Sequence, residues 1–250
     1  MNNLRRFIEL DVWRGLAIIS MIIFHTFFLL DFLGLKDVAY HEGAWFIFGS
    51  FIRFSFLLLV GIGVYLSYQK TIISNLELKY FYKFQLQRTL LVAIAAILIT
   101  LVTFALYPEQ YVNFGILHLI AVSIFFMTFV ASRPLLSLAI SFFIYLFSFL
   151  ITGISTKTSY FIIFGIMPAD YSTLDYFPIF PWLALPCLGI FLGHLFYKNF
   201  QRQFYLPEEI NNSRGLLIIS KIGQHSLGIY MLHIPILAAL IYLVKYLIIL

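Results

Sequence analysis

The chain has 250 residues, 62% of them hydrophobic and 11% charged, with a mean hydropathy of +0.97. A water-soluble domain carries about 25% charged residues, so lipid must be the solvent for most of this surface and a soluble globular protein is excluded. The formal net charge of +5 does not indicate nucleic acid, because Lys and Arg fall in short stretches between apolar runs, the pattern of membrane-protein loops.

A helix needs about 20 mostly apolar residues to cross a bilayer. Seven segments meet that requirement: 12–33, 44–68, 87–107, 113–131, 135–153, 178–198 and 223–247. They predict an all-α, polytopic membrane helix bundle of about seven transmembrane helices, in one domain over residues 1–250. The first segment has the charge-then-apolar order of a signal peptide. Arg14 interrupts that order and no small-x-small cleavage site follows, so it reads as a retained span. Residues 70–86 alternate Lys, Tyr and Phe and predict an amphipathic interfacial helix leading into the third span. Ser132-Arg133-Pro134 reads as a tight turn whose proline starts the fifth helix. Residues 154–177 are too polar and turn-rich to span, apart from the short re-entrant or interfacial run Tyr160–Met167. Residues 199–215, with Pro207, Glu208, Glu209, Asn211 and Asn212, read as a polar loop. Cys187, the one cysteine, lies in an apolar run, which excludes an intrachain disulfide and a cysteine metal cluster.

Orientation follows from the excess of Lys and Arg in cytoplasmic loops. With the N-terminus inside, the cytoplasmic face holds Arg5, Arg6, Arg14, Lys70, Lys79, Lys83, Arg88, Arg133, Lys198, Arg202, Arg214 and Lys221; the opposite face holds Lys36, Lys157 and Lys245. The bias predicts an N-terminus inside and a C-terminus outside, in a multi-pass protein of the cell membrane.

Polar groups at membrane depth are costly and rare, and function is the default hypothesis for them. Asp11 and Arg14 sit at the mouth of the first span, His25 near its middle and His233 near the middle of the seventh. Arg53 lies roughly 12–15 Å down the second span at about 1.5 Å per residue. His118 falls about one turn inside the outer end of the fourth span, while His41, Glu42, Asp170 and Asp175 fall in outer loops. One set thus converges on the outer half of the bundle. Asp11, Arg14, Arg88, Arg133, Lys221 and His225 gather at the inner face, and a single channel would connect the two sets. Structural roles compete: His25 and His233 as interhelical hydrogen-bond partners worth about 1 kcal/mol, Arg53 satisfied by an acid or by carbonyls, and Asp11–Arg14 as an i,i+3 pair. No H-x-x-x-H or H-x-x-E-H spacing suggests a metal, and Gly61-x-Gly63 reads as helix packing rather than a phosphate loop.

Leu10-Asp11-x-x-Arg14-Gly15-x-Ala17-Ile18-x-x-Met21-x-x-x-His25 resembles the opening of the heparan-α-glucosaminide N-acetyltransferase catalytic-domain family, within the wider group of membrane-embedded acyltransferases. Four further stretches resemble that family in the same order. They are Phe56-Leu57-x-x-x-Gly61-Ile62-Gly63 with Arg53 ahead of it, Phe114-Gly115-Ile116-Leu117-His118, Asp175-Tyr176-Phe177-Pro178-Ile179-Phe180-Pro181-Trp182 followed by Gly189 and Gly193, and Gly223-x-His225-Ser226-Leu227-x-x-Tyr230-x-x-His233. The resemblance implies acetyl transfer from cytosolic acetyl-CoA to an amine or hydroxyl of an amino-sugar or glycan acceptor across the bilayer, with a homodimer as an expected assembly. The key histidine of the lysosomal member lies between its first two motif helices, and His41 is the position here that matches best. His25 stands where that enzyme has asparagine.

On this reading Arg14, Arg88 and Arg133 hold the CoA phosphates, arginine being suited to bidentate phosphate contacts, and His225, Tyr230 and His233 of the closing motif belong to the same donor site. His41 or His25 acts as general base or transient acetyl carrier. An imidazole suits that work because its unperturbed pKa of about 6.5 lets it exchange protons near neutrality. Arg53 or His118 stabilises the oxyanion, and Asp175 orients a histidine or grips the amino sugar. The rival class is a proton-coupled small-solute transporter, against which stand the lack of an inverted repeat and of a pair of broken helices. A scaffold subunit would not need so many polar groups at depth.

Overall fold

The computed structural model describes residues 6–39, 42–207 and 213–249. Its helices are α1 (Ile8–Phe32), α2 (Gly43–Ile73), α3 (Leu78–Leu106), α4 (Ile116–Val130), α5 (Pro134–Ile151), α6 (Ala184–Tyr197), α7 (Arg214–Gln224) and α8 (Ser226–Ile249), with a helical turn at Ile179–Trp182 just before α6. Among the described residues there is no strand, only an isolated bridge between Ser155 and Met167. The chain is an all-helical polytopic bundle, as its composition requires.

Among the described residues six stretches are long and apolar enough to cross a membrane: α1, α2, α3, α5, Ile179–Phe200 and Ser226–Leu247. The fourth expected span is shorter than the sequence pattern suggests. α4 has 15 residues, about 22 Å at 1.5 Å per residue, against a hydrocarbon core of about 30 Å. Residues 113–115 stay outside it, with Gly115 as its N-cap. α3 shows the opposite case. Only Phe81, Gln85, Ala95 and Ala96 are buried on it, while Leu91, Ile94, Leu98 and Leu101 are exposed. A helix apolar on its outer faces as well belongs in lipid.

Two local expectations need correction. Residues 70–86 do not form a separate interfacial helix: α2 runs on to Ile73, a turn follows, and α3 starts at Leu78 and continues without a break. The last span is also not a single helix from residue 223, because α7 ends at Gln224 and α8 begins at Ser226. Pro134 does occupy the first turn of α5 behind Arg133. Residues 154–177 do stay out of any long helix, holding one 3-10 segment at Ser159–Phe164.

The chain packs as two compact units, residues 1–56 with 206–250 and residues 57–205. In the first unit α7 lies against α1 at two glycines. A Cβ on Gly15 would run into the Ile219 carbonyl, and one on Gly223 into the Asp11 carbonyl. Small residues at such crossings let membrane helices approach backbone to backbone. Ile18, Met21 and Ile52 form the buried centre of this unit, with Ile222 of α7 and Ile229 and Tyr230 of α8 packed on it. Trp13 Nε1 donates to Ser55 Oγ at 3.0 Å, tying α1 to the first half of α2.

In the second unit a Cβ on Gly61 of α2 would meet the Pro186 carbonyl, and one on Gly189 of α6 the Leu58 carbonyl. The packing reading of Gly61 therefore holds, while Gly63 has open space around it. Ser137 and Ser141 of α5 donate to the carbonyls of Cys187 (2.9 Å) and Ala184 (2.7 Å) on α6. Such bonds hold helices together where lipid supplies no hydrophobic drive between them.

Candidate active site

The site of greatest chemical interest lies in the first unit, where α1 and α8 bring two histidines together from 208 positions apart. His233 is buried and His25 half-buried. His25 Nδ1 is 3.0 Å from the Met21 carbonyl oxygen on its own helix and 3.2 Å from His233 Nε2. His233 Nδ1 in turn meets the Tyr230 carbonyl oxygen. Carbonyl oxygens only accept, so both Nδ1 atoms carry hydrogen, and His25 Nδ1–H is shared between Met21 O and His233 Nε2. That leaves the lone pair of neutral His25 on Nε2, which has no hydrogen-bond partner among the described residues. The rings of Phe24 and Phe28 stand edge-on to His25 at 5.8 and 6.2 Å between centroids.

A polar clamp lies at the N-terminal end of the same helix. Asp11 is buried and holds Arg14 at 2.9 Å through Oδ1, while its Oδ2 accepts from Gln224 Nε2 at 3.2 Å. Gln224 also donates to Ser220 Oγ at 3.2 Å. The i,i+3 pairing of Asp11 and Arg14 is as the spacing predicts. The Gln224 arm was not legible, because α7 itself was not. Arg53 is held along its own helix, Nε to the Gly49 carbonyl at 3.1 Å and a terminal nitrogen to Ser50 Oγ at 2.9 Å, with its guanidinium 5.8 Å from the Phe46 ring centroid. His225 is exposed at the start of α8, its Nδ1 2.9 Å from the Lys221 carbonyl oxygen. Tyr230 packs beside His233 at 5.4 Å between rings.

An apolar groove of about 360 Å³ runs along these helices from His225 past Gly228, Ile229 and Leu232 to His233, with Ile22 of α1 on its other wall. A second, of about 510 Å³, continues from Leu237 to Lys245. His41 lies outside the described residues.

In the second unit His118 and Asp175 meet at the start of α4. Gly115 N–H donates to His118 Nδ1 at 3.2 Å, and His118 Nε2 lies 3.2 Å from Thr100 Oγ1, whose own hydrogen goes to the Val112 carbonyl at 2.7 Å. Both ring nitrogens are thereby engaged, Nδ1 accepting and Nε2 donating. Asp175 Oδ2 accepts from Ile116 N–H at 2.9 Å, a carboxylate on the positive end of the helix dipole. Nearby, burial pushes the Tyr176 hydroxyl up to about 12, and it donates to the Ile162 carbonyl at 2.7 Å. Arg88 bonds Gln85 Oε1 at 3.2 Å, and Arg133 is exposed where α5 begins. Tyr65 and His194, 3.1 Å apart, form a pair that sequence reasoning did not single out. Among the described residues no group of three or more His, Cys, Asp or Glu side chains is placed to hold a metal ion.

These features define a polytopic membrane protein with two histidines paired between its first and last helices. The chain belongs to the heparan-alpha-glucosaminide N-acetyltransferase catalytic family, whose profile matches residues 6–235. That membership carries membrane acetyltransferase activity in general. No curated protein and no solved structure matches the chain.

Proposed function

We propose that the protein transfers an acetyl group from cytosolic acetyl-CoA to an amine or hydroxyl of a sugar or glycan acceptor on the outer side of the cell membrane, with His25 as the base. The observation that carries this reading is His25 Nε2: its lone pair is set by two contacts at Nδ1, and the ring stands at membrane depth in a family of acetyltransferases. His25 Nε2 removes the proton from the acceptor N–H or O–H as that atom attacks the thioester carbonyl. The new C–N or C–O bond forms, the C–S bond breaks, and the same proton passes to the departing CoA sulfur. Base assistance of this kind contributes about 10²–10⁴-fold.

The residues present suit the donor. The groove from His225 to His233 is apolar along its length, which fits a thioester arm entering from the cytoplasmic end. Arg14 already has its counter-charge in Asp11, so it is not assigned to the phosphates. Arg53, held in one orientation by Gly49 and Ser50, is the proposed oxyanion partner. His118 and Asp175 serve the start of α4. His41 stays the second candidate base, on the family resemblance.

The test is a sided assay in proteoliposomes with acetyl-CoA on one face and glucosamine on the other. Acetylated amino sugar appearing with equal CoA release supports the reading. Movement of the sugar without CoA release would replace it with the transporter reading.

A further inference from the structure

We infer that His233 is a positioning residue for His25, and that the two rings form a device which takes up one proton, at His25 Nε2. The inference deepens the proposed function and rests on His25 being the base. Met21 and Tyr230 present carbonyl oxygens, which fix a hydrogen on Nδ1 of each ring. Neutral His233 then offers only its Nε2 lone pair to the atom 3.2 Å away, His25 Nδ1. Met21 selects the tautomer of His25. His233, coming from another helix, holds the plane of the ring, because a single contact to the ring's own helix leaves it free to swing about that bond.

The arrangement also decides where a proton goes. A hydrogen on His233 Nε2 would face His25 Nδ1–H across 3.2 Å, two donors with no acceptor between them. A hydrogen on His25 Nε2 creates no such clash. It turns the existing Nδ1–H···Nε2 bond into a charge-assisted one, a class roughly twice as strong as neutral hydrogen bonds. The added charge is then spread toward Tyr230 through His233. This is the work a buried carboxylate does behind the histidine of a Ser-His-Asp triad. A neutral imidazole does it without placing a permanent charge at membrane depth, where such a charge is costly.

The test uses the full chain in nanodiscs, in two arms. Nitrogen NMR of ¹⁵N-histidine protein should show hydrogen on Nδ1 of both rings and a coupling through the hydrogen bond from His25 Nδ1 to His233 Nε2. Hydrogen on His25 Nε2 at neutral pH overturns the inference, and this arm needs no substrate, so it is decided even if acetyl transfer itself is not found. In the kinetic arm, His233→Leu should lower kcat by roughly 10–100-fold, a larger change than in KM for acetyl-CoA. His233→Gln, whose amide oxygen can accept from His25 Nδ1–H, should recover most of that loss. Wild-type kcat in His233→Leu, or equal loss in the Leu and Gln variants with both folded, overturns it.

Discussion

Substituting Gly223 by alanine tests whether the α1–α7 crossing holds the histidine pair in place. The added methyl would overlap the Asp11 carbonyl oxygen, the Asp11 carbonyl carbon and the Gly15 nitrogen, all backbone atoms. No side chain can swing away to relieve that contact, so the helices must part by roughly 1 Å or more, and overpacking of this kind costs about 1–3 kcal/mol. For a chain of this size that is about 2–4 °C of melting temperature per kcal/mol. The same displacement lengthens the Gln224–Asp11 bond, 3.2 Å in the native protein, beyond hydrogen-bond reach. It also moves α8, which begins at Ser226, directly after α7, and carries His233. Gly223→Ala should therefore lower the melting temperature in detergent and reduce acetyl transfer together. Gly63→Ala is the control: it adds a methyl where nothing lies within 4 Å, and alanine is the better helix former by about 1 kcal/mol. A Gly223→Ala protein as stable and active as Gly63→Ala would show that the crossing does not position the pair.

Asp11→Ala should leave the half-buried Arg14 without its counter-charge and Gln224 without its acceptor, a loss of about 1–3 kcal/mol once partial solvent screening is allowed for, read by thermal unfolding in detergent; Asp11→Asn, which keeps an acceptor for Gln224, should lose less. Tyr176 gives a pH signature. Its hydroxyl titrates near 12 in the folded protein against about 10 when unfolded. Its stabilising share is thus fully present below about pH 10 and disappears as pH rises from there through about 12, and Tyr176→Phe should flatten the alkaline limb of a stability–pH curve over that window. A reporter fused after Leu250 should be active outside the cytoplasm; cytoplasmic activity would mean that the 15-residue α4 does not cross.

The long helices were legible because a bilayer imposes both their length and their apolarity. Pro134 marked the start of α5 because its missing N–H costs nothing in a first turn. α7 escaped notice for the converse reason. It has 11 residues, with Arg214, Ser220, Lys221 and Gln224 among them, and a pattern search for spans passes over a short amphipathic helix. Its Gly223 gains meaning only once Asp11 is known to face it. His25 and His233 each stood out as imidazoles at depth. Their role as interhelical hydrogen-bond partners was open from depth alone, and the 3.2 Å contact between them bears it out, although nothing in one sequence linked the first helix to the last. His118 and Asp175 stood out by type, and the structure places both at the start of α4. A residue's chemistry shows in its name, but its hydrogen-bond partners emerge only from packing.

CoA release from acetyl-CoA by purified protein with an amino-sugar acceptor, wild type beside His25→Ala, bears most directly on the role given to His25. Acceptor-dependent release by the wild type is expected, with a drop of about 10²-fold or more in kcat for the variant and its melting temperature little changed. Wild-type rates in a folded His25→Ala protein would contradict that role and move the chemistry to His41.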